Sequence, residues 1–237
     1  KVMLYVPNSL FDDIRKKLDE YRDLSEMIYT LLFTGKSIAY NPDNLPMDIG
    51  VRFGFITCMN EQIAVANRIF EMRFYNYYLA EEMLQSSIYT ASMQIKNQFV
   101  HGKTLDMELI LKKFVEHFTD IYADSQDKFV EENGRRLFLL YLKPIINGIG
   151  NYYIESRTRS MGRTDVIIDY LGKQYIIEMK IYRGNEYNLR GEQQLIGYLN
   201  DYQLDKGYML SFNFNKKKQT GIHEVRLGDK ILIEAIV

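Results

Sequence analysis

The stretch TDVIIDYLGKQYIIEMK, Thr164 to Lys180, constrains the fold more than any other part of the chain. It consists of two short runs rich in Ile, Val and Tyr on either side of Leu171 and Gly172, the pattern of two strands joined by a tight turn. An even-length loop centred on those two residues pairs Tyr170 with Lys173 and, counting outward, Asp165 with Glu178. Directly opposed residues share a face with their β-carbons about 5 Å apart, so two carboxylates there repel each other unless positive charge lies between them. Side chains alternate along a strand, which puts Lys180 on the face of Glu178 and turns Ile177 and Met179 to the other. Two hard oxygen donors beside a lysine suit magnesium or manganese rather than zinc, with phosphate and water completing the shell. The plainer alternative is that Asp165 and Glu178 only form ion pairs with Arg163 and Lys180 at a sheet edge.

The rest of the chain supplies the layers around such a hairpin. Residues 9–35 carry Leu10, Ile14, Leu18, Leu24, Ile28 and Leu31 at steps of three and four, an amphipathic helix or helix pair beginning at Ser9 and stopping at Gly35. SIAYNPDNLPMDIGVRFG reads as a short strand, a capped helix and a Gly-terminated turn; FITCMNEQIAVAN as two small strands about Asn60 and Glu61; RIFEMRFYNYYLAEEML as an aromatic-rich helix. Helix, strand, helix, hairpin, helix is the order of a winged-helix module. Two more helices are expected over 88–123, interrupted by VHGKTLD, and a third, apolar nearly all round from Leu137 to Ile146, belongs inside a domain against a sheet. Strands follow at NYYIESRT, TDVIIDY and QYIIEMK, then a helix from about Gly191 to Leu204, then strands at GYMLSF, HEVRL and KILIEAIV. The expected class is α+β: a mostly helical winged-helix-like region over 1–87, a helical connector over 88–124, and an α/β domain with a mixed central sheet flanked by helices over 125–237.

Composition narrows the function classes. The formal charge is -1 with 30 Lys and Arg against 31 Asp and Glu, so any contact with nucleic acid is local rather than spread over the surface. No apolar run approaches the roughly 20 residues of a bilayer-spanning helix, so no membrane partner is expected. One cysteine, Cys58, permits no internal disulfide and no thiolate zinc cluster, which fits a cytoplasmic setting. TGKS at 34–37 and HGKT at 101–104 imitate a phosphate-binding loop, but Thr30 and Asn97 stand where its first glycine is needed, and both read as helix ends. His101, His117 and His223 are scattered without ligand spacing.

The segment GRTDVIIDYLGKQYIIEMK resembles the signature of the PD-(D/E)XK nuclease superfamily, in which an Asp ends a turn and Glu-x-Lys lies on the next strand; Thr164 stands where the eponymous motif has proline. EQQLIGYL places Gln194 and Tyr198 four apart on one helical face and resembles the Q-x-x-x-Y motif of nucleases related to the exonuclease domain of bacterial recombination helicases. The longer run from FLLYLKPIINGIG to GYMLSF looks like the C-terminal nuclease-like domain of bacterial AAA-ATPase-like proteins, and the segment from GKSIAYNPDN to RFYNYYL is similar to their winged-helix-like lid. Ser156 stands where many such proteins carry an acid. The resemblance implies a restriction-endonuclease-like domain, an upstream ATPase core, to which the start at Lys1 also points, and nucleic acid, DNA before RNA, as partner. It implies that Asp165, Glu178 and the main-chain carbonyl of Met179 hold magnesium or manganese, joined by Glu132 or the adjacent Glu131. Lys180 would position the attacking water, Gln194 and Tyr198 would steady Lys180 or the nucleic acid, and Arg163 would meet a phosphate. The competing expectation is a non-catalytic module of the same fold that docks nucleic acid or protein.

Overall fold

A computed structural model of the chain describes residues 9–34, 37–122, 131–146, 150–155, 165–182, 185–213, 215 and 218–237. These divide into two compact units, one taking the residues up to Glu82 and the other those from Met83 to Val237.

In the first unit, α1 (Ser9–Glu20) and α2 (Arg22–Tyr29) are separated by Tyr21, so the expected helix pair is present, and a π-turn (Thr30–Thr34) follows. Ile14 and Leu18 of α1 and Leu24 and Ile28 of α2 are buried at their four-residue spacings. Ala39 forms a single bridge to Gln62. Helix α3 (Leu45–Arg52) starts where the Asn44 side chain accepts a hydrogen bond from the Met47 N–H, with Pro46 in its first turn. Strands β1 (Ile56–Met59) and β2 (Gln62–Val65) pair antiparallel around Asn60 and Glu61, both in the left-handed region at φ 51° and 62°. Helix α4 (Arg68–Met83) presents Phe74, Tyr75 and Tyr78 to the core; Tyr75 donates its hydroxyl hydrogen to the Leu32 carbonyl and packs edge-on against Phe33.

The second unit begins with α5 (Ser87–Ile95), capped by Ser86, and a 3-10 turn (Lys96–Phe99). The two-residue strands β3 (Val100–His101) and β4 (Thr104–Leu105) come next, then α6 (Met107–Tyr122) and α7 (Glu131–Ile146). HGKT, expected as a helix end, is instead the turn of the β3–β4 hairpin: His101 pairs with Thr104, and Gly102 at φ 62° supplies the left-handed residue such a turn needs. In TGKS, Gly35 and Lys36 lie outside the described residues. Of the segment 88–124, read from sequence as a connector, the described residues 88–122 contribute to the core of this unit. Ser92 of α5 donates to the Tyr141 carbonyl at 2.6 Å, and Phe114 of α6 packs against Phe138 and Tyr141 of α7.

Six strands form the central sheet: β5 (Gly150–Glu155), β6 (Asp165–Tyr170), β7 (Lys173–Ile181), β8 (Lys206–Phe212), β9 (Gly221–Leu227) and β10 (Lys230–Ile236). Their spatial order is β5-β6-β7-β8-β10-β9. β7, β8 and β10 run parallel to one another, and the other neighbours are antiparallel, so the sheet is mixed. A parallel step from β7 to β8 requires a crossover, and α8 (Asn185–Asp201) provides it, starting earlier than the Gly191 expected. One face of the sheet is covered by α6 and α7, where Phe114 and Phe118 meet Phe212. On the other face Leu195, Tyr198 and Leu199 of α8 pack on Ile167, Ile176, Met209 and Leu232. Interior strands covered on both sides explain the unbroken apolar runs of β6 and β7. No helix among the described residues is long and apolar enough to cross a membrane.

Candidate active site

The β6–β7 hairpin turns at Leu171 and Gly172, at φ 52° and 84°, and pairs Tyr170 with Lys173, the register expected from sequence. Pairing proceeds without a bulge to Val166 opposite Ile177. The paired residues end there; continued by one step, the same register would set Asp165, the first residue of β6, opposite Glu178. The Asp165 side chain lies outside those described; its main chain pairs with Glu155 of β5. Glu178 and Lys180 are 1% and 3% exposed, so this is a buried site rather than a sheet edge. The plainer reading, an ion-paired acid at an edge, fails on that point for Glu178, because β7 has β6 on one side and β8 on the other.

Alternation decides what Glu178 and Lys180 face. Ile176, two residues before Glu178, packs under α8, and Gly191 of α8 lies over the Lys180 ammonium. A charged row thus continues an apolar one on the same sheet face. Along that row Glu178 neighbours Met209 on β8, and Met209 neighbours Glu234 on β10. Glu234 is 6% exposed and accepts a hydrogen bond from Ser211, Oγ to Oε1 at 2.8 Å, while Ser211 is Lys180's partner in register. Glu192 of α8 completes the cluster from above. Burial first, and then the nearby Glu234 carboxylate, push Glu192 above the usual carboxyl range, with Lys180 acting in the opposite sense.

The main chain adds a further oxygen. The Tyr182 N–H donates to the Phe212 carbonyl on the β8 side. By alternation the peptide groups of Met179 therefore point the other way, toward β6, where that strand begins at Asp165. The Met179 side chain, 1% exposed, turns to the opposite, apolar face. By residue type, carboxyl groups at 165 and 178 with a carbonyl at 179 would be an all-oxygen set, the chemistry that suits a hard divalent ion such as magnesium or manganese. Among the described residues no group of three or more His, Cys, Asp or Glu is arranged to hold a metal ion. The side chains of Asp165, Glu131 and Glu132 lie outside those described.

The remaining expected site residues separate by depth. Glu131 and Glu132 head α7, next to Gly134, whose place for a side chain is filled by the ring of Phe212 at the end of β8. Since Ile181 is Phe212's neighbour on β7, the first turn of α7 stands at the Lys180 end of the sheet. Tyr198 is 7% exposed and belongs to the apolar cluster of Ile167, Ile176, Leu195, Leu199, Met209 and Leu232, where it seats α8 on the sheet. Gln194 lies on α8 between Gly191 and Tyr198 with its side chain outside those described, and Arg163 lies outside the described residues altogether. Sequence reasoning passed over Ser211, Glu234, Glu192 and Gly191. Glu234 was detectable, because in KILIEAIV it interrupts an apolar run as Glu178 does in QYIIEMK.

Comparison with protein-family models, with curated proteins and with solved structures gives no match to this chain.

Proposed function

We propose that this chain is a magnesium- or manganese-dependent nuclease of the PD-(D/E)XK type, hydrolysing phosphodiester bonds in nucleic acid, with DNA as the first substrate to test. In this reading the second unit is the restriction-endonuclease-like domain and the first a winged-helix-like module, together the C-terminal part of an AAA-ATPase-like protein. The order of elements in the first unit supports the winged-helix assignment. The observation that carries the proposal is the register of the β6–β7 hairpin, paired from Tyr170 opposite Lys173 to Val166 opposite Ile177, one step short of Asp165 and the buried Glu178.

A divalent ion, when bound there, would supply activation of a water near neutral pH and offset charge on the phosphate. The residues do the rest. Asp165, Glu178 and the Met179 carbonyl would hold the ion, with Glu132, or Glu131, at the head of α7 completing the set. Lys180 orients the attacking water and balances the charge that develops as the phosphate oxygens crowd. Gln194 steadies the lysine or the nucleic acid, Arg163 pairs with a phosphate, and Tyr198 keeps α8 seated over the site.

Calorimetric titration with magnesium and manganese, followed by DNA and RNA cleavage by wild type and Lys180→Ala, tests the proposal. Metal binding with cleavage that disappears in the variant supports it. A folded protein with no metal affinity and no cleavage refutes it and leaves a docking module built on the same fold.

A further inference from the structure

The centre of α8 holds a glycine that its backbone does not require. Gly191 is inside the helix, not at an end, and it is absent from the residues with positive φ. Glycine in a helix interior costs about 0.5–1 kcal/mol relative to alanine. What the position does require is space. A β-carbon built on Gly191 would stand 1.9 Å from Nζ of Lys180, 3.0 Å from its Cε and 3.2 Å from its Cδ. No two such atoms approach to 1.9 Å, so with any other residue at 191 either the helix or the lysine must move.

The two partners are not equally free to move. The helix is seated by Leu195, Tyr198 and Leu199 in the apolar cluster, and β7 is held between β6 and β8. The flexible partner is the lysine head. We propose that Gly191 is the positioning residue for Lys180: the missing side chain sets where the ammonium lies relative to Glu178, and a methyl group there displaces the ammonium without unfolding the domain. The catalytic consequence rests on the nuclease reading; the displacement itself rests on packing alone.

The same helix supplies the control. Gly197 is exposed, and a β-carbon there meets nothing within 4 Å. Gly191→Ala and Gly197→Ala are thus the same substitution in the same helix, with the same gain in helix propensity, and differ in whether Lys180 is touched. In the full chain, Lys180 is read directly by acylation with a small amine-reactive ester, followed by mass spectrometry of the labelled peptide. Lys180, 3% exposed, is shielded in wild type and in Gly197→Ala, and labels faster in Gly191→Ala. In the cleavage assay Gly191→Ala lowers kcat by about 10²-fold, the scale expected for a catalytic group misplaced by about 1 Å. Manganese affinity stays at the wild-type value, and Gly197→Ala keeps full activity.

Equal labelling of Lys180 in wild type and Gly191→Ala overturns the inference, whatever happens to cleavage. An inactive wild type overturns the nuclease reading while the labelling still decides the position of Lys180. If Gly191→Ala loses stability, combining it with Lys180→Ala must restore it, because the clash is with the lysine head; a defect that persists in the double variant also overturns the inference.

Discussion

Ser211 on β8 donates its hydroxyl hydrogen to Glu234 on β10, 2.8 Å from Oγ to Oε1, with both side chains buried beneath α8. A buried carboxylate that loses a donor keeps its desolvation cost, and hydrogen bonds to charged groups contribute about 1.5–3 kcal/mol. Ser211→Ala is expected to lower unfolding free energy by that amount in urea denaturation, and Ser211→Thr by less. A change near zero in Ser211→Ala would mean that Glu234 is held by its other contacts alone.

Leu171 is 45% exposed at φ 52°, an unfavourable conformation for a leucine at the first position of a two-residue turn followed by Gly172. Asparagine tolerates that region and with a following glycine forms the favoured hairpin turn. Leu171→Asn is expected to raise stability by about 1 kcal/mol, read as a higher melting temperature.

Under the nuclease reading, Asp165→Asn and Glu178→Gln each remove a ligand to the same ion. Each is expected to lower cleavage by several kcal/mol of barrier, roughly 10³-fold. The double variant should be little worse than either single one, because the two act as a unit. Additive losses measured in single-turnover cleavage would separate the two acids into different roles.

Nδ1 of His117 lies 3.2 Å from the Tyr141 hydroxyl, and burial lowers the histidine pKa below its ordinary 6.5. The unfolded chain therefore takes up the proton more readily than the folded one. Stability from this group is complete above the unfolded value and falls as pH drops from there through the lowered folded value. His117→Gln should flatten that limb of the melting temperature profile as pH falls below the ordinary histidine value. A profile parallel to wild type would contradict the sign of the shift.

Phe114 and Phe118 of α6 pack against Phe212, and Phe114 also against Phe138. A fragment containing 125–237 alone would lose both and expose the part of the apolar sheet face that α6 covers, at a cost of about 3–5 kcal/mol for each buried ring. It is expected to show no cooperative unfolding transition, whereas a fragment starting at Met83 should show one by circular dichroism.

How much was legible depended on whether the signal was local. The β6–β7 hairpin could be read because period-two alternation and a two-residue turn act within one stretch of chain, and its register follows from Leu171 and Gly172. The small hairpin about Asn60 and Glu61 was readable for the same reason. The fate of 88–124 was not, because an apolar stripe such as Ile110, Phe114 and Phe118 announces a partner without saying which. Gln194 and Tyr198 show the same limit in the site: their spacing defines a helical face, and only the packing of Leu195 and Leu199 determines how deep that face lies. HGKT misled because a glycine beside a basic residue closes a two-residue hairpin as readily as a helix.

The left-handed turn at Leu171 and Gly172 also safeguards the chemistry proposed for this hairpin. Were β7 to slide by a single residue against its neighbours, Glu178 and Lys180 would rotate into the layer occupied by Phe114, Phe138 and Phe212, and Met179 would take their place beneath α8. Two ionised groups forced into that greasy layer would find no water and only each other as counter-charge, so the misaligned chain would carry a heavy solvation penalty. The charged pair on which the proposed chemistry depends thereby also proofreads the strand's alignment.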